Sequence, residues 1–162
     1  MRKPKIYLET TMFNYYFDED RDAHADTVKL FKEIQSGKYE AYTSIYVTDE
    51  LLQAEEPKRS NMLALITEYN ITVLPASDEA DILADIYIDE RIISDTHRYD
   101  SLHIAVTTTN DLEYIFSLNF KHINKIKTKT MTSLINIREG YKPIVIASPM
   151  EAIENEEKQY RR

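Results

Sequence analysis

The sequence predicts a three-layer α/β fold, with a central, mostly parallel, twisted sheet of about five strands between helices. Three observations lead there. Short runs of strand character alternate along the chain with longer stretches of helical apolar spacing, an order that demands crossover connections and a sheet covered on both faces. Both glycines, Gly37 and Gly140, fall where an amphipathic stretch should stop. The 162 residues contain no internal repeat, low-complexity tract or Pro/Gly/Ser linker, which fits one domain large enough to bury a core.

The elements follow in order. Lys5-Ile6-Tyr7-Leu8 reads as the first strand. Phe13, Tyr15, Tyr16 and Phe17 read as an aromatic helix face for the core or a dimer contact rather than a base-stacking platform. From Asp22 the residues Ala23, Val28, Leu30, Phe31 and Ile34 mostly keep helical spacing. Gly37 then stands where a left-handed residue can satisfy the last carbonyls. Tyr39–Thr43 is a second strand, followed by helical periodicity over 46–55 and 60–69 and a third strand at Ile71–Leu74. Helices over 78–92 and 97–110 lead to a fourth strand, Tyr114–Ser117. A helix from about Thr128, with Arg138 in its last turn, ends at Gly140 before a fifth strand, Ile144–Ile146. The domain is expected to span residues 1–147, leaving 148–162 as a charged tail with no assigned function.

Composition narrows the function classes. With no cysteine there are no disulfides, thiolate ligands or cysteine nucleophiles. A formal charge of −8, from 20 Lys and Arg against 28 Asp and Glu, argues against binding nucleic acid by bulk electrostatics. It leaves room for a nuclease with an acidic metal pocket and a local basic strip. The apolar run Ile6-Tyr7-Leu8 is interrupted at once by Glu9, and no later run suffices for a bilayer. A soluble, cytoplasmic protein with no membrane partner is expected.

In parallel sheets chemistry collects at the carboxyl ends of the strands. The first strand ends in Leu8-Glu9-Thr10-Thr11 and the fourth in Ser117-Leu118-Asn119-Phe120. Glu50 shares a helical stripe with Val47 and Ala54, where a carboxylate is costly unless a cation or donor meets it. Asp100 lies early in its helix, at the edge of the apolar face. Oxygen ligands from several elements suit hard ions such as Mg²⁺ or Mn²⁺. Taken singly, each has a plainer reading: Glu9 a solvated strand end, Glu50 a surface residue, Asp100 a helix-dipole partner, Asn119 a turn or cap. Spacing alone does not bring them together.

Four segments, in this order, resemble the PIN domain family: Ile6-Tyr7-Leu8-Glu9-Thr10-Thr11, Ser44-x-x-Val47-x-x-Glu50-Leu51, Asp100-Ser101-Leu102-His103-Ile104-Ala105 and Ser117-Leu118-Asn119-Phe120-Lys121-His122-Ile123. They look particularly like the bacterial branch related to VapC-type toxins, over about residues 4–147. The resemblance implies a PIN-like domain whose acidic pocket binds Mg²⁺ or Mn²⁺ and cuts RNA. Glu9, Glu50 and Asp100 match the metal-binding acids, Asn119 the place of a fourth, and Thr10 a supporting hydroxyl. Two departures matter: Glu9 stands where most members have Asp, and Asn119 is neutral. On this reading the chain is a metal-dependent endoribonuclease, the toxin of a type II toxin–antitoxin pair with a small antitoxin partner and a homodimer in view. The alternatives are a catalytically weakened RNA- or protein-binding module and a phosphohydrolase acting on small nucleotides.

Lys121, Lys125, Lys127 and Lys129 supply a basic run for RNA beside the proposed pocket, or else a solvated helix entry; Lys58 and Arg59 are further candidates. His97-x-x-Asp100-x-x-His103 hints at a transition metal, but one helical strip converges poorly, and His103 is expected to pack or hydrogen-bond locally.

Overall fold

The computed structural model describes residues 2–153. Five strands, β1 (Lys5–Leu8), β2 (Glu40–Ser44), β3 (Thr72–Leu74), β4 (Tyr114–Phe116) and β5 (Val145–Ala147), form one sheet in the order β3-β2-β1-β4-β5. Every pairing is parallel. Each strand lies within one residue of its sequence-based position. The helices are α1 (Thr10–Phe17), α2 (His24–Gln35), α3 (Ile45–Leu51), α4 (Lys58–Glu68), α5 (Asp78–Asp89), α6 (Arg98–Thr109) and α7 (Ile126–Arg138), with a 3₁₀ turn, Asp95–His97, leading into α6. They make the outer layers of a three-layer α/β/α sandwich.

The chain builds outward from β1 through β2 to β3, then crosses back through α5 and α6 to add β4 and β5 on the other side. The direction of building therefore reverses between β1 and β4. At such a switch point the connections leaving the two strands diverge and open a crevice at their carboxyl ends. β1 is buried on both faces, with Ile6, Tyr7 and Leu8 fully enclosed, as a central parallel strand requires.

Both glycines behave as expected. Gly37 (φ +90°) and Gly140 (φ +86°) are left-handed. Lys38 and Tyr141 each return a backbone N–H to the helix, to the Glu33 and Asn136 carbonyls. Helix α1 carries the aromatic helix face expected of this stretch, and its bounds are an added finding. It begins immediately after β1 because Glu9 caps it, accepting from the Thr11 backbone N–H. Phe13 and Tyr16 face inward and meet Phe31 edge-on, Tyr16 and Phe31 both meet Tyr69, and Phe17 stays exposed.

Helix α6 is buried from Ser101 through Thr108, so its polar side chains need internal partners. Thr107, Thr108 and Thr109 donate to carbonyls four residues back, and Ser101 donates across to the Ala84 carbonyl of α5 at 2.8 Å. At the other end, residues 149–153 are helical, with Ile153 buried. The rest of the charged tail lies outside the described residues. Among the described residues no helix is long and apolar enough to cross a membrane.

Candidate active site

The four expected residues are linked by contacts near the switch point: Ser117 Oγ joins Glu9 to the Asn119 backbone, Asn119 reaches Asp100, and Thr10, next to Glu9, donates to Glu50. Glu9 follows β1 directly, and its backbone N–H donates to the Phe116 carbonyl of β4. Its side chain is only 2% exposed. Oε1 accepts from the hydroxyls of Thr11 (2.5 Å) and Ser117 (2.7 Å) and from the Thr11 backbone N–H (3.3 Å). No donor among the described residues reaches Oε2. Burial is the largest influence on this carboxyl and raises its pKa, against the counteracting His103 charge and the two hydroxyls. A buried carboxylate held by neutral donors at one oxygen and by none at the other is electrostatically short of a cation.

Glu50, on α3, shows the same asymmetry. Its Oε1 accepts from the Thr10 hydroxyl (2.7 Å) and meets His103 Nε2 at 2.6 Å. Burial pushes this carboxyl up, but the His103 hydrogen bond, the His103 charge and the Thr10 hydroxyl outweigh it and hold Glu50 below its ordinary value. His103 is fully buried, and its Nδ1 lies 2.6 Å from the Tyr7 hydroxyl. That hydroxyl lies in turn 2.7 Å from Ser44 Oγ. Burial alone would depress the imidazole; the Glu50 hydrogen bond and the charges of Glu9, Glu50 and Asp100 raise it above its usual value. His103 packs and hydrogen-bonds, as expected, through partners 53 and 96 residues away in the chain. It points into the interior and ties α6 to α3 and β1, because only there do both ring nitrogens find partners.

Asp100 and Asn119 close the crevice from the far side. Asn119 Nδ2 approaches Asp100 Oδ1 at 3.4 Å, a long contact, while Asn119 Oδ1 accepts from the His122 backbone N–H at 3.0 Å. Burial dominates at Asp100 and raises its pKa, although the His103, His122 and His97 charges pull it down. The rings of His97 and His122 stack with centroids 4.0 Å apart. Their ligand nitrogens and an Asp100 oxygen all lie within 4.8 Å of one another. Among the described residues this is the one Asp/Glu/His trio so closely grouped, and it is not the helical strip that sequence judged to converge poorly: His122 joins where His103 turns away.

The lysines divide. Lys125 and Lys127 line a cleft of about 590 Å³ together with Arg91, Ser94, His97 and His122, and so border the Asp100 side of the pocket. Lys127 Nζ donates to the Arg91 carbonyl at 3.3 Å. Lys121 is exposed, and Lys129 is engaged by Glu151 at 3.8 Å.

No protein-family model matches the sequence, and no curated protein matches it. Solved structures do match the fold. VapC20 of Mycobacterium tuberculosis, a toxin that cleaves the sarcin-ricin loop, superposes with a TM-score of 0.54 at 13% identity, over 74% of this chain and 93% of the other. A chain of VapBC2 from Rickettsia felis, solved bound to a DNA fragment from their promoter, superposes with a TM-score of 0.55 at 10% identity, over 89% and 98%. The fold is that of the VapC-type PIN domain. At such identities the likeness is one of architecture, so the roles of Glu9, Glu50, Asp100 and Asn119 must rest on this chain's own geometry.

That geometry also shows what sequence reasoning missed. Tyr7, Ser44, Ser117 and Thr11 reach the site through contacts 37 to 108 residues away in the chain, beside Thr11's own bond to Glu9. One signal was available: His103 lies three residues after Asp100, one helical turn on, inside an otherwise apolar stretch.

Proposed function

We propose that the chain is a metal-dependent endoribonuclease of the PIN type, using Mg²⁺ or Mn²⁺ to hydrolyse RNA phosphodiesters. The observation that carries this reading is the paired asymmetry of Glu9 and Glu50: in each, one oxygen is anchored by hydroxyl or imidazole donors and the other is left for a cation. The donor set fits a hard divalent ion. The carboxylates of Glu9, Glu50 and Asp100 do not draw together to the 4.8 Å spacing of the histidine trio. They therefore suit an ion that takes one or two carboxylates directly and keeps several waters.

Glu9, Asp100, Glu50 and Asn119 would hold the ion, directly or through water. Bound there, it would supply Lewis acidity and lower the pKa of a coordinated water. The rest falls to the protein. His103 and Thr10 fix the Glu50 rotamer, and its second oxygen would either complete the ion's shell or orient the attacking water. Tyr7 and Ser44 hold the imidazole from behind. Glu9 keeps its place through Thr11 and Ser117, whose hydroxyls take up the extra methylene relative to Asp. Lys125 and Lys127, with Lys121, would meet substrate phosphates, which gives affinity and salt dependence without sequence readout. Lys129, drawn to Glu151, contributes less.

The VapC fold supports a toxin role with a small antitoxin covering the pocket, in the cytoplasm and as a homodimer. A second reading, an RNA- or protein-binding module of blunted activity, is favoured by the neutral Asn119 and the longer Glu9.

The deciding experiment is cleavage of a mixed single-stranded and structured RNA pool with Mg²⁺ or Mn²⁺, comparing wild type with Asp100→Asn. Metal-dependent cleavage lost in the variant supports the nuclease. Cleavage that survives Asp100→Asn places the activity elsewhere. Metal binding without cleavage by wild type turns the assignment to the binding module.

A further inference from the structure

Beside the carboxylate pocket lies the cluster that the ribonuclease reading does not use: His97 from the 3₁₀ turn, Asp100 from the first turn of α6 and His122 after β4. Their ligand atoms lie within 4.8 Å of one another. The turn into α6 and the segment after β4 bring them together, and their meeting is organised. Asn119 contacts Asp100 through Nδ2 and holds the His122 backbone through Oδ1, so one side chain sets two of the three ligands relative to each other. Outer partners of this kind orient metal ligands. The rings of His97 and His122 stack with centroids 4.0 Å apart, so one ring must turn about its Cβ–Cγ bond for both nitrogens to meet one ion.

The chemistry of the trio differs from that of the pocket. Two imidazole nitrogens and one carboxylate form a borderline-soft set, which suits Zn²⁺, Co²⁺ or Ni²⁺ and is poor for Mg²⁺. Its surroundings sharpen the choice. The adjoining cleft carries Arg91, Lys125 and Lys127 against the one acid Asp95, a net positive lining that opposes a dication. A hard ion relying on one carboxylate would be held weakly there. Two imidazole lone pairs contribute donor bonding that the hard ion does not exploit.

We infer that His97, Asp100 and His122 form a site for a first-row transition-metal dication of the Zn²⁺ class, at the mouth of the acidic pocket and sharing Asp100 with it. With three protein ligands the remaining coordination positions stay open to water or an anion, the arrangement of a reactive rather than a purely structural site. The inference is independent of the ribonuclease reading, since it concerns binding and not RNA cleavage.

The test uses the full chain and Co²⁺ as a spectroscopic probe, followed by Zn²⁺ titration calorimetry on wild type, His97→Ala, His122→Ala and the double variant. The expected result is one equivalent of Co²⁺ giving visible ligand-field bands, displaced by Zn²⁺. Each single substitution should weaken Zn²⁺ binding by about 10–100-fold or more, a loss at least as large as that seen for outer-shell partners. His97 is exposed and His122 half-buried, so folding should survive; unchanged thermal unfolding without metal verifies that. Mg²⁺ affinity should also stay the same, which separates this site from the carboxylate pocket. Undiminished Zn²⁺ binding in the double variant would overturn the assignment. So would the absence of Co²⁺ bands, or a His97/His122 pair whose NMR signals respond to inorganic phosphate but not to Zn²⁺.

Discussion

Replacing His103 with alanine should be among the most damaging single changes this fold can suffer outside its apolar core. The imidazole is fully buried and makes two contacts of 2.6 Å, to Glu50 and Tyr7. A hydrogen bond to a charged partner contributes about 1.5–3 kcal/mol and a neutral one about 1 kcal/mol. Both are discounted here, because the Glu50 side chain is 34% exposed and keeps Thr10, while Tyr7 keeps Ser44. The void left by the ring adds about 1–2 kcal/mol. The sum is about 3 kcal/mol, or roughly 6–12 °C in Tm for a chain of this size.

The loss should depend on pH with a definite sign. His103 has a raised pKa in the folded state, so its charge-linked contribution is complete below its unfolded value of about 6.5 and fades as pH rises through the folded value. Glu50 is lowered, so its contribution is complete above its unfolded value of about 4.3 and fades as pH falls through the folded one. The interaction is therefore fullest between about pH 4.3 and 6.5. Urea unfolding of wild type and His103→Ala near pH 6 and pH 9 measures it, and a double-mutant cycle with Glu50→Gln should return a coupling of about 1–2 kcal/mol. A loss under about 1 kcal/mol near pH 6, or a difference that fails to shrink toward pH 9, would refute the assigned pairing.

The remaining predictions concern neighbouring positions. Glu9→Gln keeps an acceptor for Thr11 and Ser117 while removing a charge that burial disfavours, so the metal-free protein should gain about 0.5–2 kcal/mol by thermal unfolding at neutral pH. The same variant should lose Mg²⁺ affinity by calorimetry, and a destabilised apo form would count against the electrostatic account. Asn119→Asp replaces the donor facing Asp100 with a like charge. It should tighten Mg²⁺ binding and cost the apo protein about 0.5–1 kcal/mol, with unchanged Mg²⁺ affinity removing Asn119 from the site. Tyr87→Phe breaks the buried network in which the Tyr87 hydroxyl donates to Asn136 and Asn136 donates to Thr108. It should cost about 1–3 kcal/mol and leave metal affinity and RNA cleavage where they were, as a control remote from the crevice.

Most of the architecture could be read in the chain because its cues are local. Strand runs such as Ile6-Tyr7-Leu8, helical spacing through Leu30, Phe31 and Ile34, and glycines at 37 and 140 each act over a few residues, and each was found where expected. Helix α1 was legible as an aromatic helix face but without bounds, because no spacing signal separates it from β1; its start depends on the Glu9 side chain turning back to cap it.

The candidate site divides along the same line. Glu9, Glu50, Asp100 and Asn119 were marked by position, at strand ends and on half-apolar helix faces, and the sheet order carries them to one crevice. Their states were not legible. Which oxygen of Glu9 is anchored depends on Ser117, 108 residues on, and the charge on Glu50 depends on a histidine 53 residues on. His103 and His122 look alike in sequence, yet one is buried against a carboxylate and the other lies against His97 beside a cationic cleft. Periodicity and end signals act through adjacent residues and survive in a one-dimensional reading. Hydrogen bonding, desolvation and charge coupling decay over a few ångströms of space, and only the folded chain sets those distances.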